Sequence, residues 1–123
     1  MNIRERVFAA LMSSTTLTDS LAKNSKGQCI FHCRNPAKKK FPVLVYSIIA
    51  DVPAVIADGV ELVRRITLRI SILTTDAVYA PMYQEILRIM LKLGFMRVQT
   101  TEESKENLFI KSVDFRIDVD AED

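Results

Sequence analysis

Residues 41–74 read FPVLVYSIIADVPAVIADGVELVRRITLRISILT, and this stretch decides the fold. It opens with an almost wholly apolar run at residues 43–49 and closes with an alternating run at residues 65–73. Successive side chains of a strand point to opposite faces, so the alternation predicts one buried face and one open face. The predicted buried residues are Ile66, Leu68, Ile70 and Ile72, and the predicted open ones are Arg65, Thr67, Arg69 and Ser71. Between the runs, Pro53, Asp58 and Gly59 predict a connection.

Size and composition indicate one folded domain covering residues 1–123. Hydrophobic residues make up 49% of the chain and charged residues 26%, which is typical of a globular protein. The net charge of +2 is too small to indicate nucleic-acid binding by bulk electrostatics. No segment resembles a signal peptide or a membrane span, so we expect a protein of the cytoplasm, or of an assembly formed there.

The remaining patterns predict the element order α-β-β-β-α-β-β. The predicted elements are a helix at 3–12, a loop at 17–27, a strand at 28–34, the two strands described above, a helix at 76–93 and strands at 95–100 and 108–119. Thr74, Thr75 and Asp76 are the candidate N-caps of the second helix, Pro81 marks an alternative start of its regular part, and Gly94 fits its C-terminal cap.

The fold class expected from these elements is α+β. We predict a mainly antiparallel sheet of four to five strands with both helices packed on one face. Ile66, Leu68, Ile70 and Ile72 should then meet Ile86, Ile89, Met90 and Leu93. The last strand is about twelve residues long, against a usual five or six. It either serves more than its own subunit or is a long strand in a strongly twisted sheet.

Candidate chemistry is sparse. Cys29, His32 and Cys33 form a CxxHC cluster, but a structural zinc site needs four ligands and the chain has no other Cys or His. We interpret the cluster as two small thiols and a surface histidine, without a metal or a disulfide. Asp51 and Asp58 are interpreted as loop residues beside Pro53 and Gly59. No phosphate-binding or nucleophile motif occurs, so we expect neither an enzyme nor a cofactor.

Two clusters of opposite charge stand out. Arg34 precedes the basic run Lys38, Lys39 and Lys40, while residues 114–123 carry five acids against one arginine. They are either two solvated patches or surfaces that meet between subunits, because a head-to-tail interface joins two different surfaces of one protein. The interface hypothesis covers Arg34, Lys38, Lys39, Lys40, Arg65, Arg69, Asp114, Asp118 and Asp120.

Several short motifs carry a family resemblance. They are Phe41-Pro42, Asp51-Val52-Pro53, Ile56-Ala57-Asp58, the Arg-containing strand at 65–73, Leu93-Gly94-Phe95 and the long last strand. In this order and over nearly the full length, the chain resembles the small tail completion proteins of long-tailed bacteriophages, also called tail terminator or tail-to-head joining proteins. The family's aromatic residue before Ala-Asp is replaced here by Ile56.

The resemblance implies a structural protein of the virion, present in the host cytoplasm during assembly. It implies a ring, commonly of six copies, where the tail tube meets the capsid connector. Its implied partners are further copies of itself, the tail tube protein and the head connector proteins, with DNA passing through the lumen without specific binding. No membrane is implied. A prophage copy in a bacterial chromosome would have the same sequence features.

The alternative is a small α+β module that binds nucleic acid or another protein. Arg64, Arg65 and Arg69 on an open strand face favour it, whereas the lack of interleaved aromatic residues does not. In the ring interpretation, Asp114, Asp118 and Asp120 point away from the helices toward the lumen or a neighbour, and a negative lumen would repel the phosphates of passing DNA. Reversal of Arg65 and Arg69 to Glu is then expected to leave the fold intact and to block assembly.

Overall fold

The computed structural model describes residues 2–34 and 40–122. The helices and strands follow in the order α1 (Ile3–Met12), α2 (Thr15–Ser20), β1 (Ile30–His32), β2 (Val43–Ala57), β3 (Val60–Thr74), α3 (Ala80–Lys92), β4 (Met96–Lys105) and β5 (Leu108–Asp120). The strands form one sheet in the order β1-β2-β3-β5-β4. The predicted α+β class is confirmed. The sheet is mixed, because β1 runs parallel to β2 while the other pairs are antiparallel.

The alternation of β3 organises the core as predicted. Ile66, Leu68, Ile70 and Ile72 are each at most 1% exposed, and Ile86 and Met90 of α3 are fully buried in the same core. Residues of α1 and α2 complete it, namely Ile3, Val7, Leu11 and Leu17. Burying apolar side chains on one side of the sheet is the main stabilising contribution, at about 25 cal/mol per Å² removed from water.

The first predicted helix is confirmed, but the loop prediction after it is wrong at its start. Ser14 lies two residues after α1, in the run Ser13-Ser14-Thr15-Thr16. Its hydroxyl accepts a hydrogen bond from the Leu17 N–H, so that it caps a second helix, α2. A serine that competes with the backbone at one helix end can serve as the N-cap of the next helix.

Helix α3 has the predicted end and a different start. Gly94 has a φ of 99°, as a left-handed C-terminal cap requires, and Pro81 lies in the first turn. Capping by Thr74, Thr75 or Asp76 is wrong, because the N-cap residue is Tyr79. The side chains of Thr74 and Asp76 accept hydrogen bonds from the N–H groups of Ala77 and Val78, which shape the turn before the helix.

The predicted connection between the two central strands is wrong in extent. Pro53 lies within β2, and only Asp58 and Gly59 form the turn. Their φ values of 52° and 75° fit a type I′ turn, which matches the twist of a β-hairpin. Within residues 2–34 and 40–122, no strand pairs with the outer side of β2 beyond Tyr46, since β1 pairs only with residues 44–46. A proline is tolerated there because the edge of a sheet leaves N–H positions unpaired.

The carboxyl-terminal hairpin is also longer than predicted. Residues 101–105 of the polar TEESKEN segment belong to β4, and only Glu106 and Asn107 form the turn. β5 pairs with β3 on one edge and with β4 on the other. The long strand β5 therefore pairs along its length with other strands of the same subunit.

Lys111 interrupts the apolar face of β5, and its surroundings explain why a charge is accepted there. Its Nζ lies 4.4 Å from the ring centre of Tyr83 and 3.1 Å from a carboxylate oxygen of Glu102. A cation over an aromatic face is attracted by the ring quadrupole. Lys111 therefore belongs to the rim of the core, at the amino-terminal half of α3.

Candidate assembly surface

The face of the sheet opposite the helices, called the open face below, carries two ion pairs between neighbouring strands. Arg65 lies opposite Asp118 and Arg69 lies opposite Asp114 in the β3–β5 register. Each guanidinium donates two hydrogen bonds to its carboxylate, of 2.8 and 3.1 Å for Arg65 and of 2.7 and 3.1 Å for Arg69. Paired geometry of this kind gives the strongest ion pairs in proteins.

Asp114 is the buried member of this set. Asp114 is 3% exposed, and its carboxylate accepts a further hydrogen bond of 2.8 Å from the Gln99 side chain on β4. The hydrogen bond from Arg69 is the main cause that lowers the pKa of Asp114, against the opposing effect of burial. The pKa of Asp118 is also lowered, chiefly by Arg65. Both carboxylates are held in their charged form.

Four of the predicted interface residues are therefore partners of one another within one chain. Asp120 is exposed at the end of β5, and Arg34 and Lys40 are exposed on either side of the segment 35–39. Lys38 and Lys39 fall outside the described residues. The interface role of these residues stays a prediction. The equal spacing of four residues between Arg65 and Arg69 and between Asp114 and Asp118 is the sequence signal that could have found the pairing.

The arginines cited for a nucleic-acid module all contact carboxylates. Arg64 of β3 donates two hydrogen bonds of 3.1 Å to Asp51 of β2, on the helix side of the β2–β3 pair. Arg65 and Arg69 are paired as described above. A guanidinium already engaged by a carboxylate has to lose that partner before it binds a phosphate. These contacts weaken the nucleic-acid alternative.

The end of the β2–β3 hairpin, residues 52–62 and called the hairpin tip below, is the main feature that sequence reasoning missed. All its residues except Ala54 are exposed. Five are large and apolar, with exposed fractions between 46% and 61%: Val52, Val55, Ile56, Val60 and Leu62. The signal was the Asp-Gly pair between apolar runs, which is a strong indication of a tight hairpin.

Both faces of the hairpin tip are apolar. Val52 lies opposite Arg65 and Val55 opposite Val63, which places these valines on the open face. Val60 and Leu62 lie on the helix side, by alternation from Ile66. A two-stranded ribbon is at best marginally stable alone in water. Apolar residues on both of its faces indicate that a partner covers the tip.

A second apolar surface lies at the far edge of the sheet. A pocket of about 210 Å³, called the α3–β4 pocket below, is formed between the end of α3 and the start of β4. Its lining residues are Leu87, Leu91, Phe95, Arg97 and Phe115. Leu91 is 73% exposed at the pocket, whereas Met96, which is 53% exposed, lies on the open face opposite Arg116 of β5. Arg97 donates a hydrogen bond to Thr100, and Arg116 contacts the sulfur of Met96.

The Cys29, His32 and Cys33 cluster is split by the structure. Cys29 is buried and Cys33 is exposed, with its Sγ 3.1 Å from the His32 Nε2. Burial lowers the pKa of His32, with a further contribution from Arg4, and burial raises the pKa of Cys29. Within residues 2–34 and 40–122, no three His, Cys, Asp or Glu residues are arranged to hold a metal ion.

His32 also borders an open cavity of about 470 Å³ between α1 and β2. The other lining residues are Arg4, Glu5, Phe8 and Tyr46. Arg4 lies 3.5 Å from the His32 Nε2. The aromatic rings of Phe8 and Tyr46 pack 6.0 Å apart and join α1 to the sheet. In the described part of the chain, no helix combines the length and the apolar character needed to cross a membrane.

Comparison with known proteins gives a structural likeness without a sequence match. Neither a protein-family model nor a curated protein sequence matches the chain. A chain from a solved structure described as the virion of a native gene transfer agent particle is similar in fold, with a TM-score of 0.67. The alignment covers 97% of this chain and 95% of that chain, at 13% sequence identity. The likeness supports the fold over the whole domain.

Proposed function

We propose that this protein is a structural component of a phage or phage-like particle. In its finer form, the proposal is that copies of the chain form a ring at the head-proximal end of the tail and join the tail to the capsid connector. The protein acts by shape and contact, without catalysis or a cofactor. Its place is the virion, and the cytoplasm of the host during assembly.

The observation that carries the proposal is the full-length likeness in fold to a chain of a gene transfer agent virion, at a TM-score of 0.67. Nearly complete coverage of both chains means that the fold of the whole domain is shared. The resemblance of the sequence motifs to tail completion proteins points in the same direction and supplies the position at the end of the tail.

The exposed apolar surface supports an assembled state. A soluble monomer seldom exposes a large contiguous apolar patch, and such patches commonly mark protein–protein interfaces. The hairpin tip has five exposed large apolar residues within eleven positions, together with few charges. Ring neighbours or tail proteins would remove this surface from water.

The open face supports passage of DNA without specific binding. Two of its arginines, Arg65 and Arg69, are paired with carboxylates, so much of its positive charge is neutralised locally and Arg116 is left without an ion pair among the described residues. A lumen lined by such a face would offer phosphates few free cations, and Asp120 would add a weak repulsion. The earlier idea of a strongly negative lumen is reduced by the same pairs, because Asp114 and Asp118 no longer count as free charges.

The test is loss and return of the protein during particle assembly. In the bacterium that makes the particle, deletion of the coding sequence should give filled heads and separate tails in electron micrographs. A plasmid copy should restore joined particles. A plasmid copy with Ile70→Asp, which places a charge in the core and should unfold the domain, should not restore them. Joined, infectious or gene-transferring particles in the deletion strain would contradict the proposal.

A further inference from the structure

We propose that the hairpin tip of one copy docks on the α3–β4 pocket of a neighbouring copy. This inference rests on the proposed ring and names the two surfaces that would build it. The occupant of the pocket is a second copy of this chain, because one chain carries both complementary surfaces.

The hairpin tip and the α3–β4 pocket both present apolar surface. The tip presents Val55, Ile56 and Val60 around its turn, all at least 46% exposed. The pocket offers Leu87, Phe95 and Phe115 at its base and Leu91 at its rim. A side chain of the tip that enters the pocket would bury apolar area on both partners, which is the main favourable contribution to association. An apolar anchor seated in a pocket is also the usual form of an interface hot spot.

The two surfaces are also complementary in charge. The tip carries two acids, Asp58 in the turn and Glu61 beside it, and no ion pair within the described residues involves either of them. Arg97 lines the pocket and likewise has no carboxylate within ion-pair distance in that part of the chain. Opposite charges on the two surfaces favour this orientation and disfavour tip-to-tip contact.

The hairpin tip and the α3–β4 pocket lie at different places on the subunit. The tip belongs to the β2–β3 hairpin, and the pocket lies by β4, which is the edge strand on the other side of β5. Contact between different surfaces of identical subunits is heterologous, and it produces a closed ring when the rotation between copies closes. A tip that bound another tip would give a twofold dimer instead.

The direct test is disulfide cross-linking in a Cys33→Ser background, which removes the exposed native thiol. One preparation carries Ile56→Cys and a second carries Leu91→Cys, at two exposed positions. When they are mixed under a mild oxidant, we expect a disulfide-linked dimer that neither preparation forms to the same extent alone. The chain with both changes should give a ladder of linked copies.

The matched control places the second cysteine elsewhere. Val78→Cys is exposed before the start of α3, away from Leu91 at its other end. Mixing Ile56→Cys with Val78→Cys should give at least tenfold less cross-linked dimer. Equal cross-linking at both positions, or none at either, would overturn the proposed docking. A monomeric protein without cross-links overturns it in the same way.

Charge reversal provides an independent test in the native background. Glu61→Arg should weaken self-association about tenfold, because the new arginine would face Arg97 and the two cations would repel each other. Combining Glu61→Arg with Arg97→Glu should restore association. Glu106→Arg, at the exposed turn of the other hairpin, should leave association unchanged. Failure of the combined variant to recover would overturn the pairing of these two surfaces.

The outcomes separate this inference from the proposed function. A ring that forms without tip-to-pocket cross-links contradicts the docking and leaves the virion role standing. Cross-linked copies from a protein whose deletion leaves tails joined to heads would contradict the virion role and leave the docking standing. Capture of the tip by a different virion protein, with the pocket of this chain empty, would reject a second copy as the occupant.

Discussion

Arg69 on β3 and Asp114 on β5 lie directly opposite each other, and the Arg69 guanidinium donates hydrogen bonds of 2.7 and 3.1 Å to the two carboxylate oxygens. Asp114 is almost completely buried, although it lies on the open face. The two central strands are therefore joined by side chains as well as by the backbone. A surface that looked available for assembly from the sequence is partly occupied by contacts within the subunit.

Replacement of Asp114 by Asn should destabilise the fold. The amide nitrogen would face the Arg69 donor, and one charged hydrogen bond would be lost at a buried position. Hydrogen bonds to charged groups contribute about 1.5–3 kcal/mol, and we expect a loss of about 1–3 kcal/mol in the free energy of unfolding. Urea denaturation measures it. Asp120→Asn, at an exposed site, is the control and should change stability little. Equal stability of both variants with the parent would show that the pair contributes nothing.

The two arginines should differ when they are reversed to Glu. Arg69→Glu places a carboxylate against buried Asp114 and should destabilise the protein markedly, whereas Arg65→Glu faces the exposed Asp118 and should lower the melting temperature much less. The sequence had suggested that both changes leave the fold intact, because both side chains point away from the core. Thermal melting of the two single variants decides the matter. Similar melting temperatures for both would favour the earlier expectation.

Ile70→Asp should unfold the domain or come close to it. Ile70 is fully buried between Tyr46 and Val113 on the neighbouring strands. An unpaired charge in that position costs several kcal/mol, which is a large fraction of the stability of a small domain. Circular dichroism against temperature provides the measurement. Thr101→Asp on the exposed part of β4 is the control, and parent-like melting of Ile70→Asp would place the core on the wrong face.

Acid should weaken the contact between α2 and α3 through Glu85. Hydrogen bonds from Arg88 and then Ser14 lower the pKa of Glu85 from 4.5 to about 2. The unfolded chain therefore binds a proton here at a higher pH than the folded chain does. The stabilisation is complete above about pH 4.5 and is lost as the pH falls toward 2.

Glu85→Gln should reduce the slope of stability against pH in that window, and Ser14→Ala should reduce it in part. Urea unfolding at a series of pH values gives the slopes. NMR titration of the Glu85 carboxyl in the parent gives its pKa directly. A Glu85→Gln variant with the parent's slope would mean that other carboxyl groups carry the acid sensitivity.

Much of the fold could be predicted because periodicity is a local property. The alternation at residues 65–73 identified the two faces of β3, and the apolar stripe with Gly94 identified α3 and its end. The extents of the hairpins could not be predicted so well. Pro53 and the polar residues 101–105 indicated loops, yet they lie on edges of the sheet, where an unpaired or solvated strand is tolerated.

The candidate surface was harder to predict because it depends on register. Which carboxylate faces Arg69 is set by the pairing of β3 with β5, and forty-four residues separate the two in the chain. The sequence identified the charges without their partners. The tip was missed for a different reason, since its apolar residues were assigned to a connection and not to a ribbon that leaves the sheet.

The proposed function requires that copies of this chain form a ring. Native mass spectrometry of the purified protein, over a series of concentrations and with or without tails that lack it, measures the number of copies that associate. We predict a closed species of several copies, six by the family resemblance, either alone or on the tail end. A chain that stays monomeric under both conditions and binds oligonucleotides in a salt-sensitive manner would contradict the account and favour a binding module.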